Sequence, residues 1–201
     1  MRTLALVERV SAHAGLNNST NAELVLKSNP RERIMPKKLK KLDELFHDGL
    51  KDIYFAEKKI LVALPKMAKA AESEELANAF KEHEMQTKEQ LSRLEKVFRL
   101  IDEAPRGKNC PAITGIIDEG EEIIDEYEDS PALDAGLIGA AQAVEHYEIA
   151  RYGTLKAWAK ELGLEEAVSL LDATLTEEES TDEKLSNLAE SAINRRAEAA
   201  E

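Results

Sequence analysis

An all-α bundle of four long helices is the fold class that the sequence predicts, on three observations. Ala, Leu, Glu and Lys dominate the composition, and 43% of the residues are hydrophobic while only 4% are aromatic, which is the usage of helical bundles. Four long stretches carry apolar residues at steps of three and four, the spacing of one helix face. A chain of 201 residues is also long enough to bury one sizeable core without covalent staples.

The first long helix is expected over about residues 37–71, with Leu42, Leu45, Phe46, Leu50, Ile53, Ile60, Leu64 and Met67 facing inward. Glu57 falls on that same face, where it reads equally as half of a salt bridge to Arg93 or as a metal ligand. Pro65, well inside the pattern, deletes one backbone hydrogen bond and predicts a kink. The second helix starts from Ser73 as N-cap, with Glu74 and Glu75 favourable to the helix dipole. Its face reads Leu76, Phe80, His83, Thr87, Leu91, Leu94 and Phe98. A histidine at such a position is an ordinary core residue unless carboxylates join it.

Residues 102–131 change character. EAPRGKNCP reads as a loop and AITGIIDEGEEIIDEY as a short amphipathic helix with its acids turned to solvent. A connection of this length carries the chain from one end of a bundle to the other, so the second and third long helices need not be antiparallel.

The third long helix is expected to begin with Ser130 as N-cap and Pro131 at its first position, and to end at Gly163. Ile138, Ala141, Glu145, Glu148, Tyr152 and Leu155 share one of its faces. Two acids on adjacent turns of an inward stripe repel each other and lose hydration on burial, and a bound cation is the simplest compensation. A second stripe of small residues, Gly136, Gly139, Ala143, Ala150 and Gly153 with His146 among them, permits close approach by a neighbouring helix or subunit. The fourth helix, about residues 165–198, carries Val168, Leu171, Leu175, Leu185, Leu188, Ala189 and Ile193, interrupted by Glu178 and Asp182. Counted from the turn at Gly163, Asp182 is level with Glu145 at about 28 Å by the helical rise, and Glu178 is level with Glu148.

These pieces make a four-helix bundle of ferritin-like connectivity with a short extra helix in the crossover between helices two and three. Glu57, His83, Glu145, Glu148, Glu178 and Asp182 place at least one candidate metal ligand on each long helix. Carboxylates with one imidazole suit iron or manganese, and two ions would neutralise much of the buried charge. Measured from the turn at Ser73, Glu57 lies about one turn farther out than His83. Thr87 or Gln90 is better levelled with it, so the half of the site on helices one and two is the weaker half.

LFHDGLKDIYFAEKKILVALPKMAKAA, FKEHEMQTKEQLSRLE, AAQAVEHYEIARYGTLKAWAKELG and TLTEEESTDEKLSNLA together resemble the YciE/YciF family of bacterial ferritin-like stress-response proteins. The similarity runs over about residues 37–195, includes Cys110, and is most specific in VEHYEIARYGTL. It implies a ferritin-like bundle, paired as a homodimer and linked to stress, with no established reaction, and it favours Glu178 over Glu179 as the inward acid. Two departures stand out. Gln86 sits where the family often has an acid, and the ferritin-like Glu followed three residues later by His is missing from helices two and four.

A net charge of −13 argues against nucleic acid and anionic membranes as partners. A single cysteine suits a reducing compartment, no apolar run is long enough to span a bilayer, and a cytoplasmic protein is expected. Residues 1–35 read as a flexible extension before the bundle domain of residues 36–201, and Met35 is an alternative start. Nucleotide-binding glycine patterns, nucleophile motifs and zinc-type cysteine pairs are absent. The functional expectation is a di-metal carboxylate protein of the stress response that reacts with dioxygen or peroxide. Its alternative is a non-catalytic bundle that acts through assembly, with the inward acids as a structural polar network; whether the chain is an enzyme stays open.

Overall fold

The computed structural model describes residues 40–199. The expected extension over residues 1–35 and the alternative start at Met35 lie outside them. The helices are α1 (Leu42–Ala70), α2 (Glu74–Leu100), α3 (Pro111–Glu126), α4 (Leu133–Glu161) and α5 (Glu165–Leu188). A π-helical segment, Ala189–Ile193, and a last short helix, α6 (Asn194–Glu198), continue α5.

Local chemistry sets the ends of these helices. Ser73 caps α2, its hydroxyl accepting from the Leu76 N–H at 3.4 Å. Gly163 adopts φ +72°, the left-handed conformation that costs a residue with a Cβ. There the Gly163 and Leu164 N–H groups donate to the Lys160 and Ala159 carbonyls, which is a Schellman ending for α4. At the other end of α4 the chain differs from expectation. The Ser130 hydroxyl accepts from the Ala132 N–H at 3.2 Å, so Ser130 and Pro131 form a turn and the helix begins only at Leu133. Likewise α1 begins at Leu42, later than expected, and continues through Pro65, which is exposed where water can take up the carbonyl it leaves free.

Contacts between helices give their directions. Gly49 lies against Leu155 and Trp158, whereas Ile60 and Met67 line the same space as Ala140 and Val144, so α4 runs antiparallel to α1. His83 approaches Thr181 and Arg93 approaches Thr174, so α5 runs antiparallel to α2. It follows that α2 and α4 point the same way, as the crossover allows, and the fold is a ferritin-like four-helix bundle. The crossover helix α3 lies across α1 and α4, where Gly136 fits beneath Ile123 and Gly120 beside Ala140. The core holds Phe46, Leu50, Phe98, Leu137, Tyr152 and Leu171, all 1% exposed or less, whereas Leu45, expected to face inward, is 47% exposed. Among the described residues, no helix is long and apolar enough to cross a membrane.

Asp134, in the first turn of α4, is 8% exposed and accepts from the Glu72 and Ser73 N–H groups at 2.9 and 2.8 Å. One carboxylate therefore ties the start of α2 to the start of α4. Asp134→Ala removes two charge-assisted bonds from a buried position and is expected to lower stability by about 2–3 kcal/mol, measured by urea unfolding.

Candidate metal centre

Halfway along the bundle the apolar core gives way to acid. Glu57 from α1, His83 from α2, Glu145 and Glu148 from α4, and Glu178 from α5 are each 2% exposed or less. Ligand atoms of His83, Glu145, Glu148 and Glu178 all lie within 4.8 Å of one another. The His83 Nε2 is 3.3 Å from Glu145 Oε1 and 3.7 Å from Glu178 Oε2. At the other end Glu57 faces Glu148 and accepts a short hydrogen bond from the Tyr152 hydroxyl.

The distribution of hydrogen bonds is the telling feature. Among the described residues, eight buried side-chain oxygen and nitrogen atoms lack a partner, and all eight belong to Glu57, His83, Gln90, Glu145, Glu148 and Glu178. An unsatisfied buried polar atom costs about 1–3 kcal/mol, and more when charged. Protons shared between facing acids, Glu57 with Glu148 and Glu145 with Glu178, offset part of that cost, which weighs against the roughly 5–15 kcal/mol by which a domain is stable. Either protons or cations must relieve such a site.

Burial pushes Glu57, Glu145 and Glu148 well above the usual carboxylate range, with their acidic neighbours adding to the rise, and burial brings Glu178 up to about 7. It pushes the His83 imidazole down, towards the neutral form. His83 Nδ1 lies 3.3 Å from Gln86 Oε1. Donation from Nδ1 to that amide leaves Nε2 with its lone pair, the nitrogen nearest the carboxylates, an arrangement that suits a metal-ligating histidine held from behind. Four oxygen-rich residues and one imidazole form a donor set for iron or manganese.

Not every expected ligand joins the group. Asp182 is one turn too far along α5; its side chain is 22% exposed, accepts from Gln142 at 3.0 Å and lies 3.4 Å from the exposed His146. Glu178, by contrast, reaches both acids of α4, so matching residues by their distance from a turn overstated what one helix can align. Arg93 does not meet Glu57. It grips Glu177 with two bonds of 2.6 Å, because Glu177 is turned about 100° from Glu178 around the helix and faces α2. The partners that periodicity did not assign are Gln90, whose amide donates to Glu177 at 3.1 Å while its oxygen stays unpartnered, and Tyr152 on Glu57. A polar residue level with Glu57 was the available signal for Gln90.

Raised carboxylate values mean that the folded chain binds more protons than the unfolded one, so stability declines as pH rises through them. His83 opposes this only below its unfolded value of 6.5. Metal-free protein is therefore expected to lose stability as pH rises from about 4.5, the unfolded value, towards 7, where Glu178 ionises in the folded chain and its share of the slope ends. Glu178→Gln should flatten that slope in thermal unfolding, and a flat profile in the unaltered protein would show that the cluster does not titrate as its burial requires.

Residues 41–198 match the family described as "Domain of unknown function (DUF892)". Protein YciF of Escherichia coli strain K12 is 42% identical over 161 residues, which is 80% of this chain and 97% of YciF. The crystal structure of the E. coli stress protein YciF superposes with a TM-score of 0.75 at 41% identity, covering 78% of this chain and 99% of that one. YcfI of Rhodopseudomonas palustris, described as a candidate structural protein, gives 0.72 at 44% identity over 76% of this chain and 97% of that one. With this match over nearly all the described helices, the chain belongs to the YciE/YciF family of ferritin-like proteins, the DUF892 family.

Proposed function

We propose that the chain is a di-metal carboxylate protein of the stress response, which binds iron or manganese between its four long helices and reacts with dioxygen or peroxide. The observation that carries this reading is the concentration of all eight unpartnered buried polar atoms in one cluster. His83, Glu145, Glu148 and Glu178 would hold one ion, and Glu57 with Glu148 and Gln90 would hold a second. Bound there, the ions supply one-electron redox chemistry toward a small oxidant. The acids would neutralise the ions' charge, Gln86 holds the imidazole in one tautomer, and Tyr152 donates a hydrogen bond to Glu57 Oε1. The likeness to the E. coli stress protein YciF supports the cellular setting. The exposed small face of α4, with Gly139, Ala143 and Ala150, supports pairing as a homodimer.

The alternative is a bundle that acts through assembly alone. It is favoured by the one end of the cluster that already has a donor, Tyr152 on Glu57, and by the description of YcfI. Metal content separates the two. Protein purified without chelator or metal-affinity steps is expected to carry one to two iron or manganese ions per chain by elemental analysis, roughly the complement such a donor set holds. Glu145→Ala and Glu178→Ala should each lose most of it. Asp182→Ala, which lies outside the cluster, should keep it. Folded protein that arrives without metal and takes up neither ion would sink the reading.

A further inference from the structure

Beneath the crossover helix lies a second feature that the metal ligands do not require. Between α1, α3 and α4 a narrow pocket runs inward from the surface, walled by Ile60, Leu64, Ile117 and Val144, and ends against His83 and Glu145. Small residues keep it open. Ala63, Gly120, Ala140 and Ala141 line it, and a Cβ added at Gly120 would meet only the Ala140 Cβ, at an ordinary 3.4 Å. Packing therefore does not demand a glycine there. At the mouth, Lys66 of α1 and Glu121 of α3 pair at 2.6 Å across the opening.

The pocket is small and its walls are nearly all hydrocarbon. About 30 Å³ is open to the centre of a water-sized sphere, more than the roughly 10–15 Å³ that one water-sized molecule needs, and apolar cavities bind xenon in preference to water. An ion entering here would shed its hydration against hydrocarbon, at a cost of many kcal/mol. Peroxide would give up hydrogen bonds to water along the same walls, at about 1–3 kcal/mol for each group left unmade. Dioxygen has none to lose. We propose that the pocket beneath α3 admits and holds a small neutral apolar molecule, dioxygen, at an inner end that opens on the His83 and Glu145 side of the cluster. Dioxygen as the occupant rests on the metal reading above, and it selects between the two oxidants that reading allows.

Two measurements on metal-free, full-length protein test the pocket without any metal chemistry. Crystals pressurised with xenon are expected to show xenon between Ile60 and Val144. Under dioxygen pressure, the methyl signals of Ile60 and Val144 should broaden at least about threefold more than those of Leu50 and Leu171 in the closed core. Ala63→Leu, at a half-buried position, should fill the pocket and abolish both effects, with Ala141→Leu as a second filling variant if the first fails to fold. No xenon in the pocket of the unaltered protein, or undiminished xenon and broadening in a folded filling variant, overturns the proposal. Because neither probe needs a metal, absence of iron and manganese from the protein would leave these results readable. An empty pocket would leave the metal content equally readable.

Discussion

Placing several carboxylates with few hydrogen-bond donors between four helices is the constraint on which the other features of this molecule depend. A domain is stable by only about 5–15 kcal/mol, and unrelieved charge in its interior would consume that margin. The apolar layers on either side, from Phe46 and Leu50 to Leu137 and Leu171, must therefore supply enough burial to hold the acids in place. Arg93 is committed to Glu177, and its charge reaches Glu178 only from beyond that pair. Protons relieve the central acids, and a bound cation is the other relief open to such a site.

The two ends of the cluster differ, and the difference follows from the chain. His83 and Glu57 face inward from neighbouring helices but are not level. His83 consequently meets Glu145 and Glu178, while Glu57 meets Glu148 and Tyr152. One end carries a nitrogen donor and the other a phenol, with Gln90 where a carboxylate or histidine would complete a symmetric pair. Two ions held this way would have unequal donor sets and unequal affinities. The YciE/YciF family membership establishes the bundle, and it leaves the chemistry to be read from these particular side chains.

The crossover does more than reverse the order of the helices. By running across α1 and α4, α3 covers the side of the bundle nearest His83 and Glu145. Its fit depends on glycines and alanines at the contact, Gly136 beneath Ile123 among them. The same smallness that lets α3 sit close leaves the apolar pocket beneath it. A larger residue on any of the three helices would exchange that space for packing.

The helices were legible because burial on one face imposes a period of 3.6 that survives any arrangement of partners. The caps at Ser73 and Gly163 were legible because they act within a few residues. For the same reason Glu57, His83, Glu145, Glu148 and Glu178 could be placed on inward faces. What the sequence by itself determined was therefore each helix, its buried stripe and the acids that interrupt it. Which acids meet was decided only in the tertiary structure, since axial shifts and rotations between packed helices are set by side-chain interdigitation and leave no periodic trace. Those shifts put Asp182 at the solvent edge with Gln142 and His146, gave Arg93 to Glu177, and brought Asp134 to the N–H groups at the start of α2 from 62 positions away in the chain.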